Sequence, residues 1–265
     1  MRKDSAHLAF KRTHFLRTPF DAVEPDDLVA LLSRTTSAAP FRYVVTPNVD
    51  HVVRLRQTVS LVTHYEAAWL SLCDSRPIAL LARLLGEPLP QMAGSTLTAR
   101  LFRDVIRPGD RIAVVAADAT VAAQLRQRFP KIDFAVMVAP ADVGGNADRL
   151  QACADFVVRA RARFAFIAIG SPQSERIAFR AALDPDATGL ALCVGAALEF
   201  LVGRKARAPL WMQRSGLEWT HRLACEPRRL WRRYVFRVLP LARLVLIECA
   251  HRLAARRPAA RPVEG

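Results

Sequence analysis

Six short apolar runs, rich in β-branched and aromatic residues, recur between residues 40 and 200 and alternate with longer stretches of helical spacing. Strands that alternate with helices indicate a mainly parallel sheet covered by helices on both faces. We therefore predict an α/β fold with a Rossmann-like sheet. The predicted strands are Tyr43–Thr46, Trp69–Cys73, Arg111–Ala116, Phe134–Val138, Phe164–Ile169 and Leu190–Val194.

The strand pattern stops near residue 202, and the remaining residues have a helical, aromatic and arginine-rich pattern. We predict an α/β catalytic domain at residues 1–202 and a helical basic appendage at residues 203–265. The appendage contains 15 Lys and Arg against 4 Asp and Glu, which gives it +11 of the chain's formal charge of +15. Such a concentration favours a polyanionic partner, either nucleic acid, anionic lipid or a phosphate-bearing ligand. The alternative is an ordinary solvated arginine-rich surface.

The cysteines and the apolar runs bear on the location of the protein. The five cysteines form no C-x-x-C pair, which predicts reduced and buried thiols, no disulfide framework and no zinc site. The first 20 residues lack the apolar core of a signal peptide. The longest apolar runs, Ala191–Val202 and Leu239–Ala250, are too short to cross a bilayer. We expect a cytoplasmic protein that is not integral to the membrane.

Polar residues follow the predicted strands, at the edge of the sheet where ligands of open α/β sheets bind. Asp74 comes directly after an apolar run, so its carboxylate is a candidate general base, or else the cap of the next helix. Thr46 and Asn48 are ligand-binding candidates, for which helix capping is the alternative. Gly94–Thr96 precedes a predicted helix and is a phosphate-binding candidate through its backbone N–H groups, for which a plain capped loop is the alternative. Gly170–Glu175 is a turn before a helix that is rich in hydrogen-bonding groups, and Gly170 would let a ligand approach the backbone closely. The nucleotide fingerprints G-x-G-x-x-G and G-x-x-x-x-G-K-[ST] are absent.

Taken in order, these segments resemble the WecG/TagA/CpsF family of glycosyltransferases. The resemblance extends from about Phe41 to Tyr234, and its last block is the most specific. The blocks that carry it are TPNVDHVVRLRQ, LSLCDSRPIALLARLLGEPLP, AGSTL, GSPQSE and VGAALEFLVGRKARAPLWMQRSGLEWTHRLACEPRRLWRRY.

The resemblance implies an inverting glycosyltransferase that needs neither metal nor cofactor. Its implied donor is a UDP-sugar, often of the N-acetylmannosamine type, and its acceptor is a sugar linked to undecaprenyl diphosphate. The products would enter teichoic acid, enterobacterial common antigen, capsule or exopolysaccharide. We expect the enzyme to lie on the inner face of the cytoplasmic membrane, against an anionic surface, without nucleic acid. The sequence leaves its oligomeric state open, and a homo-oligomer is compatible with it.

The resemblance also assigns roles to individual residues. The family's catalytic carboxylate falls on Asp74, which would accept a proton from the acceptor hydroxyl. The appendage would close the site and contact the membrane and the diphosphate through four arginines, Arg207, Arg222, Arg229 and Arg232. The substrate-binding candidates are Thr46, Asn48, Arg83, Gly94, Ser95, Gly170, Gln173, Glu175, Arg207, Arg222, Arg229 and Arg232.

The sequence departs from the family pattern at two places. Ser75 stands where a glycine usually follows the catalytic Asp, and Ala116–Ala117 stands where two glycines are typical. Both changes narrow the expected crevice, so the donor sugar stays open and includes glucose or another hexose. Two functions from other classes are the alternatives, namely a nucleic-acid-binding protein that uses the basic C-terminal region and a non-catalytic scaffold of polysaccharide assembly.

Overall fold

A computed structural model describes residues 10–206, 208–215, 218–225 and 243–248 of the chain. All six predicted strands are present in it, within a few residues of the predicted bounds. A short antiparallel hairpin precedes them. The strands are β1 (Arg12–Phe15), β2 (Thr18–Asp21), β3 (Arg42–Val45), β4 (Leu70–Ser71), β5 (Arg111–Ala116), β6 (Asp133–Val138), β7 (Phe164–Ala168) and β8 (Leu190–Cys193).

The six later strands form one parallel sheet in the order β4-β3-β8-β7-β5-β6, which confirms the predicted α/β class. Helices cover both of its faces. The α-helices in the described part of the chain are α1 (Pro25–Ser33), α2 (Val49–Gln57), α3 (Val62–Glu66), α4 (Arg76–Leu84), α5 (Gly94–Arg100), α6 (Ala119–Arg128), α7 (Ala147–Ala160), α8 (Gln173–Ala182), α9 (Ala197–Leu201), α10 (Leu210–Ser215) and α11 (Glu218–Cys225).

Two hydrophobic clusters divide the helices between the faces of the sheet. One cluster joins α1, α5, α6 and α9 to one face, and the other joins α2, α3, α7 and α8 to the opposite face. Phe166 on β7 belongs to the first cluster and its neighbour Ile167 to the second, and both are fully buried. This alternation explains the continuous apolar runs in the sequence, because a parallel strand that is covered on both faces buries every side chain.

The hairpin of β1 and β2 was not predicted from the sequence. Its turn residues, Leu16 and Arg17, have φ angles of +51° and +55°. Tight hairpin turns with positive φ usually contain Gly, Asn or Asp, so the sequence Leu-Arg does not predict a turn here. Arg12 forms a two-point ion pair with Asp21 across the hairpin, with N–O distances of 2.9 and 2.8 Å.

A third hydrophobic cluster joins the hairpin to α2, α4 and the C-terminal segment 243–248. Leu244 is 9% exposed and packs among the buried residues of this cluster, which include Val52 and Ile78. The described stretches beyond residue 209 are helical, and α10 begins directly after Pro209. Most arginines of the predicted appendage lie outside the described residues, so the boundary at residue 202 stays a prediction.

Candidate active site

The four strands β4, β3, β8 and β7 are adjacent and parallel, so their following loops leave the sheet at the same edge. The helix after β3 covers one face of the sheet, whereas the helix after β8 covers the other. Two adjacent parallel strands whose helices diverge in this way open a crevice between them, which is where α/β sheets bind ligands. The residues after β3, β4 and β8 therefore form the candidate site.

Asp74 lies at the edge of this crevice, half-buried, three residues after β4. Its backbone N–H donates to Pro47 O at 3.0 Å, which ties the loop after β4 to the loop after β3. The helix-cap alternative for Asp74 is wrong, because Ser75 caps α4: Ser75 Oγ accepts from the Ile78 N–H at 3.4 Å. Ser75, one of the two departures noted in the sequence, thus has a structural role, and the neighbouring carboxylate is not used as the cap.

Thr46 lies beneath the crevice rather than in it. Only 4% of the residue is exposed, and its Oγ1 donates to Cys193 O at 3.1 Å. A Cβ atom on Gly94 would lie 3.2 Å from Thr46 Oγ1 and 3.7 Å from Val194 Cα. The absence of a side chain at Gly94 therefore lets α5 pack closely against the ends of β3 and β8. Direct ligand binding by Thr46, Gly94 and the half-buried Ser95 stays a prediction.

Asn48 caps α2, which confirms the capping alternative for this residue. Its Oδ1 accepts from the Asp50 N–H at 3.0 Å, and His51 Nδ1 accepts in return from the Asn48 N–H at 3.2 Å. This reciprocal pair is a capping box with His in place of the usual Glu or Gln. The side-chain nitrogen of Asn48 is still able to contact a ligand, so the predicted role of Asn48 in binding stays a prediction.

Two glycines leave the backbone open at the crevice. Gly170, after β7, has a φ of +85°, and Gly195, after β8, has a φ of +52°. Within the described parts of the chain, no atom lies within 4 Å of a Cβ built at either glycine. The nearby helices α5, α8 and α9 begin without a side-chain cap. The first turns of α8 and α9 each use one N–H group internally, because Ser174 N–H donates to Gly170 O at 3.0 Å and Ala197 N–H donates to Val194 O at 3.1 Å. The other first-turn N–H groups favour an anion at this edge of the sheet.

Gln173 extends towards the loop after β6, away from β3 and β4. The end of the Gln173 side chain occupies the space that a Cβ at Gly144 would take, so a side chain there would displace Gln173 Nε2. Arg176, one turn further along α8, donates to Gly144 O at 3.2 Å. The structure thus does not place Gln173 in contact with Thr46 or Asn48, and its predicted role in substrate binding is not tested by this arrangement.

Glu175 is 2% exposed and lies below the loop after β7, not on its surface. Burial raises the pKa of its carboxyl group to about 7, opposed by hydrogen bonding from Ser171 and Tyr65 and by the charge of Arg54. Its Oε2 atom has no hydrogen-bond partner of good geometry among the described residues. For Glu175 to bind a substrate directly, the residues that bury it would have to move apart.

An ion pair near Glu175 fixes the loop after β7, and it was not predicted from the sequence. Arg54 donates to Asp50 Oδ2 at 3.0 Å and to Ser171 O at 2.6 Å. Asp50 is only 6% exposed, so this contact lies largely inside the protein. The signal for it was available, because Asp50 and Arg54 are four residues apart on a predicted helix.

The raised pKa of Glu175 predicts a pH dependence of stability. The folded protein keeps this group protonated up to about pH 7, whereas the unfolded chain releases the proton near its ordinary pKa of 4.5. The stabilisation is therefore complete below pH 4.5 and is lost as the pH rises to 7. Relative to Glu175→Gln, the wild type should lose up to about 3 kcal/mol of unfolding free energy across this range.

Urea unfolding at pH 5, 6, 7 and 8 measures this difference. Glu24→Gln, at an exposed glutamate, is the matched control for removing a carboxylate from the surface. A wild-type advantage over Glu175→Gln that stays constant from pH 5 to pH 8 would contradict the assignment.

Arg83 lies away from the crevice, on the exposed side of α4. It lines an open groove of about 560 Å³, together with Arg76, Leu80, Leu89 and Glu24, and the groove does not include Asp74. Three of the four appendage candidates, Arg207, Arg229 and Arg232, lie outside the described residues. Arg222 is part of α11, but its side chain is not described.

Three further findings concern the predicted chemistry and location. Cys73, Cys153 and Cys193 are buried thiols without a disulfide, as predicted for these three. Within the residues that the structure describes, no group of three or more His, Cys, Asp or Glu is arranged to hold a metal ion. In the same residues, no helix has the length and apolar character needed to cross a membrane.

Sequence comparison with known proteins relates this chain to a family. The sequence profile of the glycosyl transferase WecG/TagA/CpsF family matches residues 13–255. The N-acetylglucosaminyldiphosphoundecaprenol N-acetyl-beta-D-mannosaminyltransferase of Bacillus spizizenii is 26% identical over 218 residues, which are 82% of this chain and 82% of that protein. The profile match includes the whole sheet, Asp74 and each of the predicted site residues.

Proposed function

Because the chain belongs to the WecG/TagA/CpsF family and is therefore a glycosyltransferase, we propose a specific reaction for it. It transfers a hexose or an N-acetylhexosamine, of the N-acetylmannosamine type, from a UDP-sugar to a sugar linked to undecaprenyl diphosphate. The acceptor class is supported by the name of the Bacillus relative, which acts on a diphosphoundecaprenol-linked N-acetylglucosamine. The product is an intermediate of a cell-surface polysaccharide.

The position of Asp74 carries this proposal. The residue lies at the carboxyl edge of the sheet, half-buried, with the neighbouring Ser75 as the helix cap. The backbone hydrogen bond to Pro47 O holds it beside the loop after β3. A carboxylate fixed at the edge of a crevice is suited to accept a proton from a hydroxyl group that is bound there.

The proposed reaction is a single displacement at the anomeric carbon. Asp74 accepts the proton of the acceptor hydroxyl, and the hydroxyl oxygen forms the new bond to the anomeric carbon. The bond from that carbon to the UDP oxygen breaks on the opposite side, so the configuration inverts and UDP leaves. General-base catalysis of this kind contributes roughly 10²–10⁴-fold to the rate.

The leaving diphosphate needs positive or hydrogen-bonding groups around it. The uncapped starts of α5, α8 and α9 and the open backbone at Gly170 and Gly195 support a phosphate site at this edge. Arginines bind phosphate in a bidentate manner. We propose that Arg207, Arg222, Arg229 and Arg232 complete this site from the appendage.

The appendage is also the proposed contact with the inner face of the cytoplasmic membrane. Its net charge of +11 and its interleaved Trp, Leu and Phe residues are typical of segments that bind an anionic lipid interface. Segment 243–248 supports this arrangement, since it packs against α2 and α4, the helices that follow the two loops of the site. A lipid-linked acceptor would then meet the site at the membrane surface.

Product analysis tests the proposal. The purified protein is incubated with a panel of UDP-sugars and a short-chain lipid diphosphate that carries N-acetylglucosamine, and the products are weighed by mass spectrometry. We expect one donor to give a product heavier by one sugar residue, with one UDP released per transfer. The absence of transfer from every UDP-sugar, with a correctly folded protein, would refute the proposed donor class.

A further inference from the structure

Helix α4 exposes two leucines and two arginines on one side. Leu80 is 58% exposed and Leu84 is 74% exposed, and Arg76 and Arg83 are exposed as well. Because successive residues of an α-helix are rotated by about 100°, these four residues lie within roughly 100° of its circumference. We call them the α4 outer face.

The orientation of α4 is fixed by its opposite side. Ile78 and Ala82 are at most 1% exposed and belong to the cluster that contains the hairpin, α2 and Leu244. Rotating the helix to bury Leu80 and Leu84 would expose these two residues instead. The leucines on the α4 outer face are therefore presented to the surroundings by the packing of the whole cluster.

The charges around the α4 outer face favour an anionic partner. Helix α4 itself contains two arginines and no acidic residue. Two carboxylates lie nearby: Glu87 pairs with Lys11 at 3.2 Å, and Glu24 lines the groove beside Arg76 and Arg83. Leucines next to arginines are suited to the boundary between lipid headgroups and acyl chains, where the leucines enter the apolar layer and the arginines stay at the phosphates.

The position of α4 along the chain connects this surface to the site. The helix begins two residues after Asp74. At a rise of 1.5 Å per residue, Leu80 and Leu84 lie roughly 9–15 Å from Asp74 along the direction of the helix axis. A bilayer that contacts the α4 outer face would therefore keep the membrane surface within reach of Asp74. A diphosphate-linked acceptor is located at that surface.

We propose that the α4 outer face is a contact with an anionic lipid bilayer, made by the α/β body in addition to the appendage. This inference rests on the proposed function for the lipid-linked acceptor. A second copy of the chain fits this surface less well. Four side chains on one helix cover much less than the roughly 800 Å² per partner of a stable protein interface.

Vesicle co-sedimentation of the full chain tests the proposal. The vesicles contain phosphatidylglycerol and phosphatidylcholine, and the variant is Leu80→Ser/Leu84→Ser. We expect the partition coefficient to fall by about tenfold or more, since two side chains can no longer enter the apolar layer. The matched control is Leu183→Ser, because Leu183 is 69% exposed at the opposite end of α8, away from the site. The control should bind vesicles like the wild type.

Three outcomes decide the matter. Wild-type vesicle binding by Leu80→Ser/Leu84→Ser would overturn the proposal and leave the appendage as the membrane contact. A change from dimer to monomer in light scattering, with vesicle binding unchanged, would overturn it in favour of a second copy. Equal losses in the Leu183→Ser control would also overturn it, since the effect would then not belong to α4.

A separate measurement distinguishes this proposal from the proposed function. Transfer to a short-chain, water-soluble acceptor should be the same for the wild type and Leu80→Ser/Leu84→Ser, because neither leucine belongs to the catalytic site. If the wild type transfers no sugar to this acceptor, the proposed function fails, while vesicle binding still decides the role of α4.

Discussion

Asp74→Asn is expected to lower turnover by roughly 10²–10⁴-fold with little change in the stability of the fold. The amide is nearly the same size as the carboxylate, but it cannot accept the proton of the acceptor hydroxyl. The cap of α4 comes from Ser75, and the contact with Pro47 uses the backbone N–H, so both survive the substitution. Steady-state release of UDP at saturating substrates measures the effect.

Asp186→Asn is the matched control for the loss of a carboxylate. Asp186 is exposed in the loop before β8, at the end of the sheet opposite the candidate site. The control should keep wild-type turnover, and circular dichroism should show the same fold for both variants. If Asp74→Asn were as active as the control, Asp74 would not be the base, and a non-catalytic role for this loop would be favoured.

Gly189→Ala is expected to cost roughly 3 kcal/mol or more of unfolding free energy. Gly189 has a φ of +86°, and a Cβ atom there would collide with the backbone oxygen of Ala162. The left-handed backbone accounts for about 1–2 kcal/mol, and the overpacking adds about 1–3 kcal/mol. Because Gly189 directly precedes β8, the collision would disturb the strand that forms one side of the crevice.

Gly109→Ala isolates the first of these two effects, the left-handed backbone. Gly109 has nearly the same φ, +87°, but nothing in the described residues lies within 4 Å of a Cβ at this position. This variant should lose only about 1–2 kcal/mol. Urea unfolding compares the two, and a Gly189→Ala chain that does not fold beside a folded Gly109→Ala chain agrees with the prediction. Equal losses in the two variants would show that the close approach to Ala162 is absent.

The sheet could be predicted from the sequence because its strands are buried on both faces. Each strand then appears as a continuous apolar run, such as Arg111–Ala116, which was predicted with its observed bounds. The hairpin could not be predicted, because its turn uses Leu16 and Arg17 without a glycine. Tertiary packing, rather than local sequence preference, holds this hairpin in place.

The candidate site was predictable in part. The position of Asp74 after a strand followed from the apolar run before it, and the structure places it at the expected edge. The burial of Thr46 depends on α5, which crosses from a distant part of the sequence, so no local signal could reveal it. The burial of Glu175 was easier to predict, because Glu175 lies three residues before Ala178, on the apolar side of α8.

One arginine of the predicted appendage, Arg204, lies next to the α/β body in the described part of the chain. Arg204 shows how the α/β body meets the start of this region: it pairs with Asp118, the cap of α6, at 2.6 Å. This ion pair lowers the pKa of Asp118 to about 2. Ala116–Ala117, the second departure from the expected family pattern, directly precedes Asp118 at the end of β5, outside the loops after β3, β4 and β8 that form the candidate site.

Donor binding by the Asp74→Asn enzyme tests the central claim most directly. Calorimetric titration with the UDP-sugar that the wild type uses gives its dissociation constant for both proteins. If Asp74 acts as the base for the acceptor, the variant should bind the donor within about threefold of the wild type while its turnover is lost. A donor affinity that falls together with turnover would make Asp74 a binding residue, and unchanged turnover would remove it from the reaction.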